Sequence, residues 1–270
     1  MERKFIKQIT PELSLHQYNE IPVLKLQHSL GSAEIALQGA QLLSWQPQGA
    51  KQDVLWLSEI EPFKAGNAIR GGVPVCYPWF GPMKEPMHGY ARISLWQLSD
   101  YAISAEKVRL EFSLFSSNHL IEAKLTMTFS DRCELRFTHY GAEPTQAALH
   151  TYFNIGDIES LSVEGLPTRC FNKLSGQQED VPSPRQIGEN VDCIYAIESP
   201  TLHTIVDPSL QRKIQVEQLD ATDTVLWNPW HKPTGGMSEQ GYKTMVCVET
   251  CKINRLLATG EQVTVSISMK

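Results

Sequence analysis

The chain has 270 residues, with 24 Lys+Arg against 30 Asp+Glu for a formal charge of −6, and 41% of it is hydrophobic. That length suits one or two domains with a sizeable core, and 17 Gly with 16 Pro is ordinary for a globular protein, which excludes collagen-like and low-complexity chains. The acidic balance argues against nucleic acid or an anionic membrane surface as partner, and no apolar run approaches the ~18 residues of a membrane helix.

The start, Met-Glu-Arg-Lys-Phe-Ile-Lys-Gln, leads into no apolar stretch of secretory type, so a cytoplasmic location is expected. Cys76, Cys133, Cys170, Cys193, Cys247 and Cys251 are dispersed, with no C-x-x-C pair, and read as reduced core thiols. Along the chain, strand candidates come first at 23–28, 33–46 and 53–57. Then follows a dense segment, 70–92, with four prolines, four glycines and four aromatics. Proline lacks the ladder donor and glycine adopts unusual backbone angles, so this segment is a shaped loop and not a central strand. It brackets Tyr77, Trp79 and Phe80 between Arg70 and Arg92, with His88 beside them. Aromatic faces with a few polar groups suit a pyranose ring. The same residues also read as core aromatics and surface arginines. Gly71-Gly72 lies in no nucleotide P-loop pattern.

From 95 to 104 another strand is expected, and from 105 to 140 the alternation is strict. Val108, Leu110, Phe112 and Leu114 are spaced by polar residues, as are Ile121, Ala123, Leu125, Met127 and Phe129, and then Cys133, Leu135 and Phe137. Successive strand side chains point to opposite faces, so these are antiparallel strands with one wet face. In the next candidate, 146–153, His150 shares a face with Ala148 and Tyr152 and reads alone as a structural histidine. Further strands are expected at 161–165, 203–206, 213–219, 244–250 and 263–269. Segments 171–190 and 228–243, rich in Gly, Pro, Ser, Asn, Gln and Asp, read as surface excursions. Asp192 follows the first of these and reads as turn chemistry. Trp227 and Trp230 read as loop packing. Glu249 has the parity of Met245 and Cys247 in a hydrophobic strand: either it is buried and functional, or the strand has ended and it lies in water. The remaining histidines (16, 28, 119, 139, 203 and 231) form no H-x-x-x-H or H-E-x-x-H pattern, and no metal is expected.

Many short strands, without helices between them, predict one all-β domain over 1–270 built of two large antiparallel sheets packed face to face. Arg70-Gly-Gly-Val-Pro through Trp79-Phe80-Gly81-Pro82, His88-Gly-Tyr-Ala-Arg92, His150-Thr-Tyr-Phe, Val191-Asp192-Cys-Ile-Tyr195, Trp227-Asn-Pro-Trp230 and Met245-Val-Cys-Val-Glu249, taken in order, resemble the D-hexose-6-phosphate mutarotases. These belong to the aldose 1-epimerase superfamily. The resemblance implies a galactose-mutarotase-like β-supersandwich that interconverts the α and β anomers of a hexose 6-phosphate without metal or organic cofactor. It places His150 and Glu249 as the catalytic pair, Arg70 and Arg92 on the phosphate, and Asp192 and His88 on the sugar. Tyr90 stands where Phe is commoner, and the loop 237–242 is less acidic than usual in the family.

Ring opening needs a base for the C1 hydroxyl proton and an acid for the ring oxygen, roles that Glu249 as carboxylate and His150 as imidazolium can fill. A nearby carboxylate, Glu249 or Asp192, is expected to raise the protonated fraction of His150. Arginine grips a phosphate monoester with a bidentate fork, which explains a phosphorylated substrate on an acidic protein. A monomer acting on a small sugar phosphate is expected. Two other readings use the same residues: a carbohydrate-binding module, which needs no acid/base pair, and a glycoside hydrolase or lyase built on Asp192 and Glu249, which leaves His150 without a role.

Overall fold

The computed structural model describes residues 2–270, which form twenty-two strands and two 3₁₀ turns. The chain opens with a meander: β1 (Arg3–Gln8), β2 (Leu13–Tyr18), β3 (Ile21–His28), β4 (Gly31–Ala36) and β5 (Gln41–Pro47). The loop to β6 (Val75–Cys76) and a 3₁₀ turn (Ala91–Ile93) precede β7 (Gln97–Ser104), β8 (Lys107–Phe115), β9 (Ile121–Phe129) and β10 (Cys133–His139). Next come β11 (Thr145–Leu149), β12 (Tyr152–Asn154), β13 (Ser162–Glu164), β14 (Arg169–Asn172), β15 (Gln177–Asp180) and β16 (Arg185–Gln186). The chain closes with β17 (Val191–Ala196), β18 (Thr201–Asp207), β19 (Arg212–Leu219), β20 (Asp223–Asn228), a second 3₁₀ turn (Gly241–Thr244), β21 (Met245–Leu257) and β22 (Gln262–Met269). Among the described residues no helix is long and apolar enough to cross a membrane.

Two large antiparallel sheets carry the fold. One has nine strands in the order β16-β13-β18-β19-β22-β10-β9-β8-β7; the other runs β15-β14-β17-β20-β21-β11-β6, with β12 also pairing β21. The meander β1–β5 makes a separate five-stranded sheet that the sequence reading did not distinguish. The alternation over 105–140 is realised as expected. Leu110, Met127, Leu135 and Val265 form one cross-strand row on the buried face of the nine-stranded sheet. A single core cluster joins that face to Leu149, Cys193, Leu226 and Val248 of the eight-stranded sheet and to Leu24, Ile35 and Trp45 of the meander. Burial of each such side chain contributes about 1.5–3 kcal/mol. All six cysteines are free and buried.

Three local expectations change. The run 33–46 is two strands, because the chain reverses through Gly39 and Ala40, both at positive φ. Segment 53–57 is not a strand: Leu55 and Leu57 make only isolated bridges, to Phe153 and Gly71. The excursion 171–190 contains β15 and β16, and β14 runs into it.

Candidate active site

The site lies on the face of the eight-stranded sheet that is turned away from the other large sheet. Strands β11 and β12 both pair with β21, as Leu149↔Thr250 on one side of a break and Tyr152↔Cys247 on the other. The register is the same across the break, so His150 stands opposite Glu249. Facing residues of adjacent strands have Cβ atoms close enough for their side chains to meet. His150 Nε2 accordingly lies 3.3 Å from Glu249 Oε1. Parity places Ala148, His150 and Tyr152 on the site face and sends Leu149 and Phe153 into the core. The next rows continue the floor: Cys247 faces Trp227 of β20, and Trp227 faces Asp192 of β17.

Aromatic rings fix the histidine. The His150 ring stacks on Tyr152 at 4.8 Å between centroids and 11° between planes, and Tyr152 stacks in turn on Trp56 at 5.9 Å. Trp227 meets both His150 and Tyr152 edge-on, and His88 meets His150 edge-on at 5.7 Å. Trp227 is thus part of the site and not loop packing. The aromatic group of the 70–92 loop divides. Phe80 lies against His88 at 4.9 Å, whereas Tyr77 is buried with its hydroxyl 2.9 Å from His139 Nδ1, and the Trp79 indole N–H serves the loop's own carbonyls.

The loop is shaped by close backbone approaches. At Gly72, φ is +61° and a Cβ would sit 2.1 Å from the Leu42 carbonyl oxygen; at Gly89 it would sit 2.0 Å from that of Tyr77. Only glycine fits either position. The chain through Gly72 delivers Arg70, whose backbone N–H donates to Glu61 Oε2 (2.8 Å). Its guanidinium donates to the Tyr152 hydroxyl (2.8 Å) and to the Gly235 carbonyl (3.0 Å). The chain through Gly89 delivers His88, whose Nδ1 accepts from the Gly81 N–H at 3.2 Å, which leaves the ring proton on Nε2. Arg92, in the first 3₁₀ turn, donates to the Met87 carbonyl, and its Nε is buried without a partner among the described residues.

Burial sets the charges. His150 is 8% exposed and Glu249 1%. Desolvation, with His88, Arg70 and Arg92 nearby, pushes His150 well below the usual histidine value. Desolvation, with Asp192 nearby, pushes Glu249 well above the usual carboxylate value. This corrects the sequence expectation that a carboxylate neighbour would raise His150: here burial outweighs the partner. Both shifts favour imidazole beside carboxylic acid, a form with the same proton count as imidazolium beside carboxylate. His88 is pushed down to about 3 by desolvation, with Arg92, Lys173 and Arg70 around it.

Sequence reasoning missed Tyr152 and Trp56, which orient the histidine, and Lys173, whose Nζ lies 2.9 Å from Asp192 Oδ2. The parity of Tyr152 with His150 was a usable signal. Lys173 lies in a polar stretch without a motif and gave none. Among the described residues no group of three or more His, Cys, Asp or Glu side chains is arranged to hold a metal ion. The structure therefore gathers Arg70, His88, His150, Asp192 and Glu249 around one floor. Arg92 joins them through its electrostatic reach to His88 and His150.

A model of the family described as "Aldose 1-epimerase" matches residues 22–270. A "Putative glucose-6-phosphate 1-epimerase" of Haemophilus influenzae is 58% identical over 271 residues and covers the whole of both chains. A protein of the same name from Escherichia coli K12 is 39% identical over 91% of this chain and 88% of its own. The crystal structure of a "putative mutarotase" from Salmonella typhimurium superposes with a TM-score of 0.92 at 34% identity, covering 98% of this chain and 96% of that one. On these matches, the chain belongs to the aldose 1-epimerase family.

Proposed function

We propose that the protein interconverts the α and β anomers of a hexose 6-phosphate, glucose 6-phosphate first among them, by acid/base-catalysed ring opening and closure. The observation that carries this reading is the His150 Nε2 to Glu249 Oε1 approach of 3.3 Å on a floor lined by arginine and aromatic side chains. Glu249 takes the C1 hydroxyl proton while His150 gives one to the ring oxygen, and the C1–O5 bond opens to the aldehyde. After rotation about C1–C2 the two protons return, and the ring closes on the other face. The working form, carboxylate beside imidazolium, is one proton transfer away from the resting pair. A phosphate dianion held by Arg70 and Arg92 offsets two of the cations that depress His150, and so favours that transfer. Asp192 and His88 hold ring hydroxyls. The relatives' name supports the phosphorylated substrate.

The test is the approach of freshly dissolved α-D-glucose 6-phosphate to anomeric equilibrium, followed by NMR, with glucose run beside it. Wild type accelerates the phosphate ester, His150→Ala and Glu249→Gln each lose about 10²–10⁴-fold, and Arg70→Ala loses more on glucose 6-phosphate than on glucose. Binding of the sugar phosphate with equilibration at the buffer rate would overturn the catalytic reading in favour of a binding module.

A further inference from the structure

Lys173 stands one residue beyond β14, next to β17, and is anchored to Asp192 at both ends. Its backbone N–H donates to the Asp192 carbonyl at 2.9 Å, and its ammonium to Asp192 Oδ2 at 2.9 Å. The ammonium lies 5.6 Å from the centroid of Phe80, the ring that packs on His88. The pair forms the rim of the site: the Lys173 and Asp192 side chains are 28% and 18% exposed, whereas Glu249 and His150 below them are almost closed to solvent. Asp192 Oδ1 is buried and has no hydrogen-bond partner among the described residues. An ion pair held only for stability, partly open to water, contributes about 1 kcal/mol or less and gives no reason for a buried, unpaired acceptor beside it.

We propose that Lys173 is a specificity-determining residue that works with Asp192 as a two-point clamp on adjacent ring hydroxyls. Asp192 Oδ1 accepts the hydrogen of one hydroxyl, and the Lys173 ammonium donates to the oxygen of its neighbour. One of the three ammonium hydrogens is committed to Asp192 Oδ2, which leaves donors for the sugar. Neighbouring hydroxyls of a pyranose are spaced to meet an acceptor and a donor held side by side. The clamp thus selects hexose phosphates with an intact pair of vicinal hydroxyls and rejects deoxy sugars. This inference rests on the mutarotase reading of the floor beneath it.

The experiment compares wild type and Lys173→Met on α-D-glucose 6-phosphate and its 2-, 3- and 4-deoxy analogues. It measures NMR equilibration rates, with calorimetric titration of each sugar phosphate alongside. A hydrogen bond to a charged group is worth about 1.5–3 kcal/mol, so loss of the ammonium should lower kcat/KM on glucose 6-phosphate roughly 10- to 150-fold. One deoxy analogue, lacking the hydroxyl that Lys173 meets, should be turned over equally by both proteins. Methionine keeps the stem over Phe80, and Lys173→Gln, which keeps a donor, should recover part of the loss on glucose 6-phosphate alone. Equal losses on all four sugars, or none on any, would overturn the clamp. If wild type binds the sugars without accelerating any of them, the titrations still read the clamp, and only the catalytic reading falls.

Discussion

His150 and Glu249 form a buried pair 3.3 Å apart, and burial favours its neutral form, imidazole beside carboxylic acid. With Glu249 raised and His150 lowered, the expected acid limb of kcat/KM is protonation of His150 and the expected alkaline limb is loss of the Glu249 proton. An imidazolium–carboxylate resting pair would assign the limbs the other way round. Both are macroscopic values of the pair, so the shape of the profile alone cannot tell these assignments apart. A nearby charge can. Arg92 is among the cations that hold His150 down, and its removal in Arg92→Gln favours the imidazolium. The acid limb of the free enzyme should therefore move to higher pH while the alkaline limb stays in place. Movement of the alkaline limb instead would show that the resting pair is ionic. The identities of His150 and Glu249 were legible as motif residues, and their parity was right. Their opposition was not, because it depends on a register maintained across the break at 150–151.

Strand β21 shows why some elements were readable and others hidden. Its first nine residues are all buried, including Glu249 and Lys252, so the hydrophobic run was visible but its continuation to Leu257 was not. Strand β20, Asp223–Asn228, mixes Asp, Thr and Asn into a segment buried on both faces and gives no alternation. Strand β1 is exposed along its length and likewise offers no period. The glycines of the 70–92 loop were read as shape without a target, and the structure supplies the target. At Gly72 a side chain meets both a positive φ and the Leu42 carbonyl, whereas Gly176, at φ +72°, has nothing within 4 Å of a built Cβ. The left-handed conformation alone costs an L-residue about 1–2 kcal/mol. Gly176→Ala should therefore lose about that much in urea unfolding, and Gly72→Ala distinctly more, with Arg70 displaced and activity reduced. Equal losses at the two positions would mean that the backbone near Gly72 relaxes freely and does not fix Arg70.

The two large sheets are joined through their core by polar groups as well as by packing. On the nine-stranded side, His203 of β18 has Nε2 2.9 Å from Thr224 Oγ1 of β20, and the Gln218 amide of β19 donates to the Glu249 carbonyl of β21 at 3.3 Å. The Thr224 hydroxyl lies 2.7 Å from Gln218 Oε1, so the contacts form one chain from β18 to the backbone of Glu249. Desolvation pushes His203 down to about 4, against its ordinary value of 6.5. Between these values the unfolded chain binds a proton that the folded chain refuses. Stability from this residue is thus complete above pH 6.5 and is lost as pH falls towards 4. The full loss is roughly 3 kcal/mol at 1.36 kcal/mol per unit. Glu249, His88 and His150 also titrate, but they do so in wild type and His203→Gln alike, so the difference between the two proteins isolates His203. Urea unfolding at pH 7.5 and pH 4.5 should show wild type losing about 2–3 kcal/mol more than His203→Gln between the two conditions. If the two lose the same amount, His203 takes up its proton without parting the sheets, and the chain of contacts to Glu249 is not what makes the sandwich sensitive to acid.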